Sequence, residues 1–341
     1  MQDVLIIGTG MAATALASAL AGKARVTLVE KSRGFGGRMA TRRREGFEFD
    51  HGAQFFTARS TEFKQFLAQP VEREAIQEWQ PRLTTLEAGR EPYKREWFEP
   101  HFVATPSMNS LCKESLKAVE NHVDIILGCE VGSIEKIDTG NAPCRWRVFG
   151  KQLDSTQEVL GEFDWVLSAA PSAQTEALFT NTAFNHLDRL RDAVHLPCFS
   201  LMLGFDAPPK LSFDLATVKE SSVALIAANA SKPGRAASHS LLVHSDNHWA
   251  RKNFEGDRAE IQQQLIDETC SLLNLDAASI VHADLQGWRY AKTEIAAEED
   301  FLLDDERQLA ACGDWCLGGR IEDAFLSGHR LGTTLAKLFG E

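Results

Sequence analysis

The sequence predicts an α/β protein of two interleaved domains, one built on a buried parallel sheet and the other an α+β domain with a mixed or antiparallel sheet. Three observations predict this. The 341 residues exceed the roughly 100 to 200 typical of one domain. The first thirty residues read as strand, glycine turn, helix and strand, and a glycine-bracketed segment, Gly313 to Gly319, leads into a final helix. Composition is that of an ordinary globular chain, with 44% hydrophobic and 25% charged residues, so both domains can bury a core.

Taken in order, Val4–Ile7 is a short apolar run suited to a buried parallel strand, Met11–Leu20 is Ala- and Leu-rich like a helix packed on a sheet, and Val26–Val29 is again strand-like. From Thr61 to His101 the pattern turns irregular and charged, with Trp79, Trp97 and prolines 70, 81, 92 and 100, as expected of an excursion into another layer. Pro106–Val119 reads as a helix, followed by strands at Val123–Leu127, Gly132–Ile137, Trp146–Phe149 and Asp164–Ser168, the last ended by Ala169-Ala170-Pro171. Strand-like runs Cys198–Phe205, Val223–Ala228 and Ser240–His244 and a helix at Arg258–Leu273 belong to the second domain, and Glu322–Phe339 closes the chain as a helix. Residues 1–60, 104–172 and 285–341 are thus expected to form a discontinuous nucleotide-binding domain, and 61–103 and 173–284 a substrate domain.

Gly8-Thr9-Gly10-Met11-Ala12-Ala13 is the G-x-G-x-x-G/A pattern of a Rossmann-type turn, between a strand and a helix. Gly8 permits the tight turn, Gly10 lets a pyrophosphate approach the backbone and the helix N-terminus, and Ala13 keeps helix and strand close. Glu30, 20 residues after Gly10, ends the second strand where a carboxylate can accept bonds from ribose hydroxyls. This constellation binds a dinucleotide and by itself does not separate NAD from FAD.

Two further segments favour FAD. Lys31 to Arg38 is a second glycine-rich loop with Gly37 and Arg38 placed to meet a pyrophosphate, whereas Arg42, Arg43 and Arg44 read as a solvated basic turn. Gly313 and Asp314 follow an apolar run, where an Asp can bind a ribityl hydroxyl and the next helix can aim its positive end at the flavin.

These residues, with Asp50-His51-Gly52-Ala53-Gln54-Phe55-Phe56-Thr57, Ser231-Lys232-Pro233, Trp288-Arg289-Tyr290-Ala291 and Gly313 through Ser327-Gly328, resemble the bacterial renalase family of flavin amine oxidase-like proteins, over almost the whole chain. The resemblance implies a p-hydroxybenzoate hydroxylase-like fold, non-covalent FAD, and oxidation of dihydropyridine isomers of NAD(P)H with electrons passed to O2 to give hydrogen peroxide. Phe55-Phe56 departs from the family's usual Tyr-Phe, and Ala13 from its third glycine. The expected cofactor set comprises Gly8, Gly10, Met11, Ala12, Ala13, Glu30, Lys31, Gly37, Arg38, Met39, Gln54, Phe55, Val131, Ala170, Gly313, Asp314, Arg320, Ile321 and Ala324. Gln54, Phe56, His244, Trp288 and Arg289 are the expected substrate-side or catalytic residues, with Trp249 close behind His244.

The remaining composition sets limits. A formal charge of -12, from 36 Lys and Arg against 48 Asp and Glu, argues against a nonspecific nucleic-acid surface. Seven cysteines without a CxxC pair or a Cys/His cluster read as ordinary thiols, Cys312 and Cys316 included, and argue against a metal centre. The short run Val4–Ile7 is no signal peptide and no stretch reaches 18 apolar residues, so a cytoplasmic, membrane-free protein is expected. Partners are expected to be a small dinucleotide-type substrate and O2, with monomer and homodimer both open. Two tyrosines against 20 phenylalanines weaken the main rival, an amine oxidase with a tyrosine cage; a non-catalytic FAD-binding redox sensor is a second rival.

Overall fold

The computed structural model describes all residues except 88, 95, 138–143, 153, 154, 237 and 341. One six-stranded sheet runs in spatial order Leu302–Asp304, Leu309–Ala311, Trp165–Ser168, Asp3–Ile7, Arg25–Glu30 and Val123–Leu127. All its pairings are parallel except that of Leu302–Asp304. Val4, Leu5 and Ile6 are fully buried, as a central strand covered on both faces requires.

Helix Met11–Leu20 covers one face, and the C-terminal helix Ile321–Leu338 lies on it. Two glycines one turn apart permit that approach: a methyl group on Gly328 would sit 2.0 Å from the Ala12 carbonyl oxygen, and one on Gly332 2.6 Å from the Ala19 Cβ. The last segment of the chain is thereby locked onto the first βαβ unit. On the other face Leu5, Val29 and Val166 pack with Trp315, Phe179, Phe184 and Leu190.

The second large sheet has the order Ile280–Ile295, Val194–Phe205, Ser240–Ser245, Val223–Ala228, Leu215–Lys219 and Leu83–Glu87. It is mixed, antiparallel throughout except for its last pairing. Helix Arg258–Leu273 covers its outer face through Ile261, Leu265 and Ile266, against Phe199, Leu201 and Leu203. Its inner face forms a roof over the first domain, where Met202 and Leu242 pack on Phe49 of the hairpin Thr41–Arg44 and Phe47–Asp50.

Several expectations are corrected. The strand Ile280–Ile295 crosses the expected boundary at 285, because it pairs with Val194–Phe205 along its length and so belongs to the roof. Residues Phe179, Phe184 and Leu190, expected in the substrate domain, pack on the parallel sheet. Helix Thr61–Glu72 was hidden by its charged surface; Ser60 caps it by accepting the Phe63 N–H, and Phe63 and Phe66 pack on Phe325. The helix expected over 106–119 contracts to Ser110–Lys117. No helix among the described residues is long and apolar enough to cross a membrane.

Candidate cofactor and substrate site

The floor of the site is made of backbone. Gly8 takes φ +108°, a left-handed conformation that favours glycine, while its N–H donates to the Val29 carbonyl at 2.8 Å. Gly10 caps helix Met11–Leu20, and a methyl group there would meet nothing within 4 Å, so open space stands directly before the helix N-terminus. Unpaired N–H groups and the helix dipole make such a space a phosphate cradle. The second loop closes against the first: the Gly36 N–H donates to the Thr9 carbonyl at 3.0 Å, and a methyl on Gly37 would lie 3.4 Å from the Gly10 Cα. Ala12 and Ala13 are buried where small side chains keep the helix close to the sheet.

Glu30 fastens both loops. Its buried carboxylate accepts the Thr9 N–H and hydroxyl at 3.1 and 3.0 Å and the Ser32 N–H at 2.8 Å. The Gly128 N–H donates to the Ser32 carbonyl at 2.9 Å and so brings strand Cys129–Ile137, with Val131, to the same end, while Lys31 stays exposed.

At the opposite end Arg38 and Asp314 meet in a bidentate pair, with Arg38 Nη1 donating to Oδ2 at 2.8 Å and Nη2 to Oδ1. Burial opposes the guanidinium charge, but Asp314 more than compensates and raises the Arg38 pKa above its ordinary value. Gly313 is sterically required, since a methyl there would strike the Trp315 ring nitrogen at 2.4 Å; that nitrogen donates to the Ala170 carbonyl at 3.1 Å. Met39, Ile321 and Ala324 cluster with Met11 beside Arg320, whose backbone N–H is held by Asp323 at the start of the last helix. The Arg38 loop and the Asp314 segment, 276 residues apart, therefore meet.

Gly52 joins floor to roof. A methyl there would lie 1.9 Å from the Arg38 carbonyl oxygen, and the Ala53 N–H donates to that same oxygen at 2.8 Å. Beneath the turn is a charged cluster that sequence reasoning did not single out as a site. Asp50 Oδ2 accepts Lys232 Nζ at 3.1 Å and Arg235 Nη2 at 2.7 Å, all three side chains being fully buried. Thr41 and the Met108 N–H serve Oδ1 at 2.7 and 3.1 Å. Burial opposes the carboxylate charge, yet Lys232 and Arg235 hold Asp50 well below the usual carboxylate range. For Lys232 burial wins over Asp50, with Arg235 adding to it, and pulls the ammonium down to about 8. Lys232 Nζ also donates to Gln54 Oε1 at 2.9 Å, while Gln54 Nε2 donates to the Asp50 and Gly52 carbonyls at 2.6 and 2.9 Å. Gln54 therefore spends its amide on locking the turn. Two of its members stand in segments that carry the resemblance, Asp50 before His51-Gly52-Ala53-Gln54 and Lys232 in Ser231-Lys232-Pro233, but they lie more than 180 residues apart and nothing in either segment shows that they meet.

On the roof, the His51 ring stacks on Trp288 at 5.1 Å, and Trp288 Nε1 and Ser200 Oγ both donate to the His51 carbonyl, at 2.9 and 2.7 Å. His244 is cross-strand from Ser200. His51, His195 and His244 each keep a buried ring nitrogen without a hydrogen-bond partner among the described residues. Burial is the main cause that pushes each of them down to about 4, so they are neutral imidazoles at pH 7.

Two expected site residues lie elsewhere. Phe56 is packed into the core with Met11, Met39 and Phe63. Arg289 points to the outer face, where it pairs with Glu255 at 2.7 Å and lies over the Phe254 ring at 4.5 Å. Successive residues of a strand face opposite ways, so Trp288 turned inward carries Arg289 outward. Phe55 remains partly exposed, edge-on to His101 at 4.6 Å and near Trp97. Trp249 packs edge-on to Phe199 with the outer core. Burial pushes Cys316 up to about 12 and Cys312 well above the usual thiol range, as inert structural thiols require.

A family model for an NAD(P)-binding Rossmann-like domain matches residues 6–70. Over the whole chain the fold is similar to solved structures of other proteins. One from Exiguobacterium sp. 255-15, assigned as a protoporphyrinogen oxidase, is 14% identical with a TM-score of 0.75 over 99% of each chain. Cyclohexylamine oxidase from Brevibacterium oxydans IH-35A is 13% identical with a TM-score of 0.72 over 100% of each chain. Putrescine oxidase bound to putrescine is 11% identical with a TM-score of 0.69 over 98% of each chain. The chain is thus an α/β protein of flavin amine oxidase-like fold with a Rossmann-like nucleotide-binding domain.

Proposed function

We propose that this protein is an FAD-dependent oxidoreductase with a renalase-like activity, the oxidation of dihydropyridine isomers of NAD(P)H and chiefly of the 2-dihydro forms. The chain's residues fit the cofactor: the open cradle before Gly10, the paired loops around Gly37, and the Arg38–Asp314 pair supply donors and acceptors along one face. FAD, when bound non-covalently there, supplies acceptance of a hydride and delivery of the electron pair to O2 as hydrogen peroxide.

The observation that carries the substrate reading is the charge of the cluster under Gln54. One carboxylate, Asp50, faces two buried cations, Lys232 and Arg235. A cationic interior disfavours the entry of an ammonium, whereas a dihydropyridine ring enters uncharged and becomes a cationic pyridinium only when its hydride is transferred. The imidazoles of His51 and His244, neutral at pH 7, can orient such a ring without holding a proton that the reaction must move. Trp288, stacked on His51, excludes water from the same side.

A second reading, an amine oxidase, is favoured by the fold shared with putrescine oxidase and cyclohexylamine oxidase. Anaerobic stopped-flow mixing with 2-dihydro-NAD(P), 6-dihydro-NAD(P), ordinary NAD(P)H and a panel of amines separates the two. Fastest bleaching of the flavin by 2-dihydro-NAD(P) is expected. Faster reduction by an amine would install the second reading, and stoichiometric FAD bleached by no compound would point to a redox-sensing protein.

A further inference from the structure

We propose that Thr217 is a specificity-determining residue whose hydroxyl receives the carboxamide of the dihydropyridine ring, held beneath a row of the roof that runs Thr217, Leu225, His244. The inference rests on the substrate reading above. Register sets the three side by side on neighbouring strands: Thr217 pairs with Leu225, Leu225 with His244, and His244 with Ser200. Paired residues share a face of the sheet, and the packing on either side identifies that face. Ala216, Val218, Ile226 and Val243 pack outward with Ile261 and Leu265 of helix Arg258–Leu273, whereas Leu215, Ala227 and Leu225 pack inward with Phe55 and Trp79. Ser200 donates its hydroxyl to the His51 carbonyl at 2.7 Å, so the inward side is the one that meets the turn carrying His51.

Accessibility and hydrogen bonding single out Thr217 within the row. Thr85 and Ser200 are buried, whereas Thr217, Leu225 and His244 are each partly exposed and so border open space. Thr217 Oγ1 lies 3.2 Å from Oγ1 of Thr85, its partner across the parallel pairing. A hydroxyl has one donor and two acceptor sites, so this bond leaves Thr217 either two acceptors or a donor and an acceptor. A carboxamide, with both an NH2 and a carbonyl, is served in either case. Neighbouring strands lie about 4.8 Å apart, which puts Thr217 and His244 about 10 Å apart with Leu225 between them. A flat ring bearing an amide suits that spacing, with the ring against Leu225, the amide at Thr217 and the neutral imidazole of His244 at the far edge. Phe55, partly exposed and packed in the same cluster as Leu225, bounds the space on the side of the floor.

The carboxamide is the same before and after hydride loss, so its bond to Thr217 acts on binding and not on the chemical step. Anaerobic reduction of the full-length holoprotein across a range of 2-dihydro-NAD(P) concentrations separates the two, giving a Kd and a limiting rate. Thr217→Val is expected to raise Kd about tenfold, the scale of one hydrogen bond, and to hold the limiting rate within about twofold. Thr217→Ser, which keeps the hydroxyl, is expected to recover most of the affinity, and both variants should retain the parent's FAD content. A Kd unchanged in Thr217→Val would overturn the proposal. So would equal weakening in both variants, which would make Thr217 a packing residue, or loss of FAD from Thr217→Val, which would assign it to the fold of the cofactor site. A parent protein whose flavin no dihydropyridine reduces would overturn the substrate reading itself, a result distinct from any difference between variants.

Discussion

The floor and the roof of the site are specified by different physics. On the floor, position is enforced by exclusion: a methyl group at Gly52, Gly313 or Gly328 would come within 1.9, 2.4 or 2.0 Å of another heavy atom, so the chain can pass only where no side chain exists. On the roof, position comes from a wide mixed sheet, which leaves His195 Nε2, His244 Nε2 and His282 Nε2 buried without a hydrogen-bond partner among the described residues. Exclusion leaves the backbone of the floor little freedom, whereas the sheet leaves these imidazoles unpaired. On the proposed function, holding the dinucleotide falls to the floor and selecting the substrate to the roof.

The largest effect separates two glycines on the floor. Gly52→Ala is expected to leave no flavin in the purified protein, because the new Cβ must displace the Arg38 backbone and with it both loops. Gly10→Ala should fold, with a urea midpoint within about 1 kcal/mol of the parent, because its Cβ meets no neighbour. It should nevertheless lose FAD affinity by at least about tenfold, since that Cβ occupies the phosphate cradle. Equal behaviour of the two variants would break the claim that exclusion, not loop flexibility, builds the floor.

The junction comes next. Asp50→Asn keeps the shape but leaves the buried Lys232 and Arg235 without their anion, and is expected to cost about 3–5 kcal/mol in denaturant unfolding. The Asp50 pKa is depressed on folding, so its stabilisation is complete above the ordinary carboxylate value of 3.8 and lost as pH falls below it. Removing the carboxylate also removes what holds the buried Lys232 protonated, so its pKa falls further below about 8 and the penalty of the substitution should shrink as pH rises from about 5 to 8. A penalty unchanged across that window would show that Lys232 does not depend on Asp50 for its charge.

Legibility in the sequence follows the same division. Helix Met11–Leu20, strand Val123–Leu127 and helix Arg258–Leu273 lie where periodicity alone places them, and the two glycine loops, read from their residues, close on one another. A turn that needs glycine writes its requirement into adjacent residues. The Asp50–Lys232–Arg235 cluster writes no pairing into the sequence, since a buried ion pair is recognisable only when the fold brings distant charges together. Strand Ile280–Ile295 escaped notice because it is amphipathic on neither face: its residues contact the hairpin on one side and helix Arg258–Leu273 on the other. Phe56 was misjudged for the converse reason, because an aromatic beside a functional turn reads the same whether it faces a ligand or a core.

The smallest effect is expected at Arg289, and it tests whether strand alternation alone can sort function within one tripeptide. Trp288 faces the site through its bond to His51, so Arg289 must face solvent, with a half-exposed ion pair to Glu255 and a stack on Phe254. Exposed pairs of this kind contribute about 0–1 kcal/mol. Arg289→Ala should accordingly hold the rate of flavin reduction by 2-dihydro-NAD(P) within about twofold and shift stability by about 1 kcal/mol at most. Trp288→Ala in the same assay should slow reduction clearly, because it removes both the stacking surface and a donor to the His51 carbonyl. A loss at Arg289 equal to that at Trp288 would mean that the outer face of the roof also reaches the substrate, and the division of labour between the layers would fail.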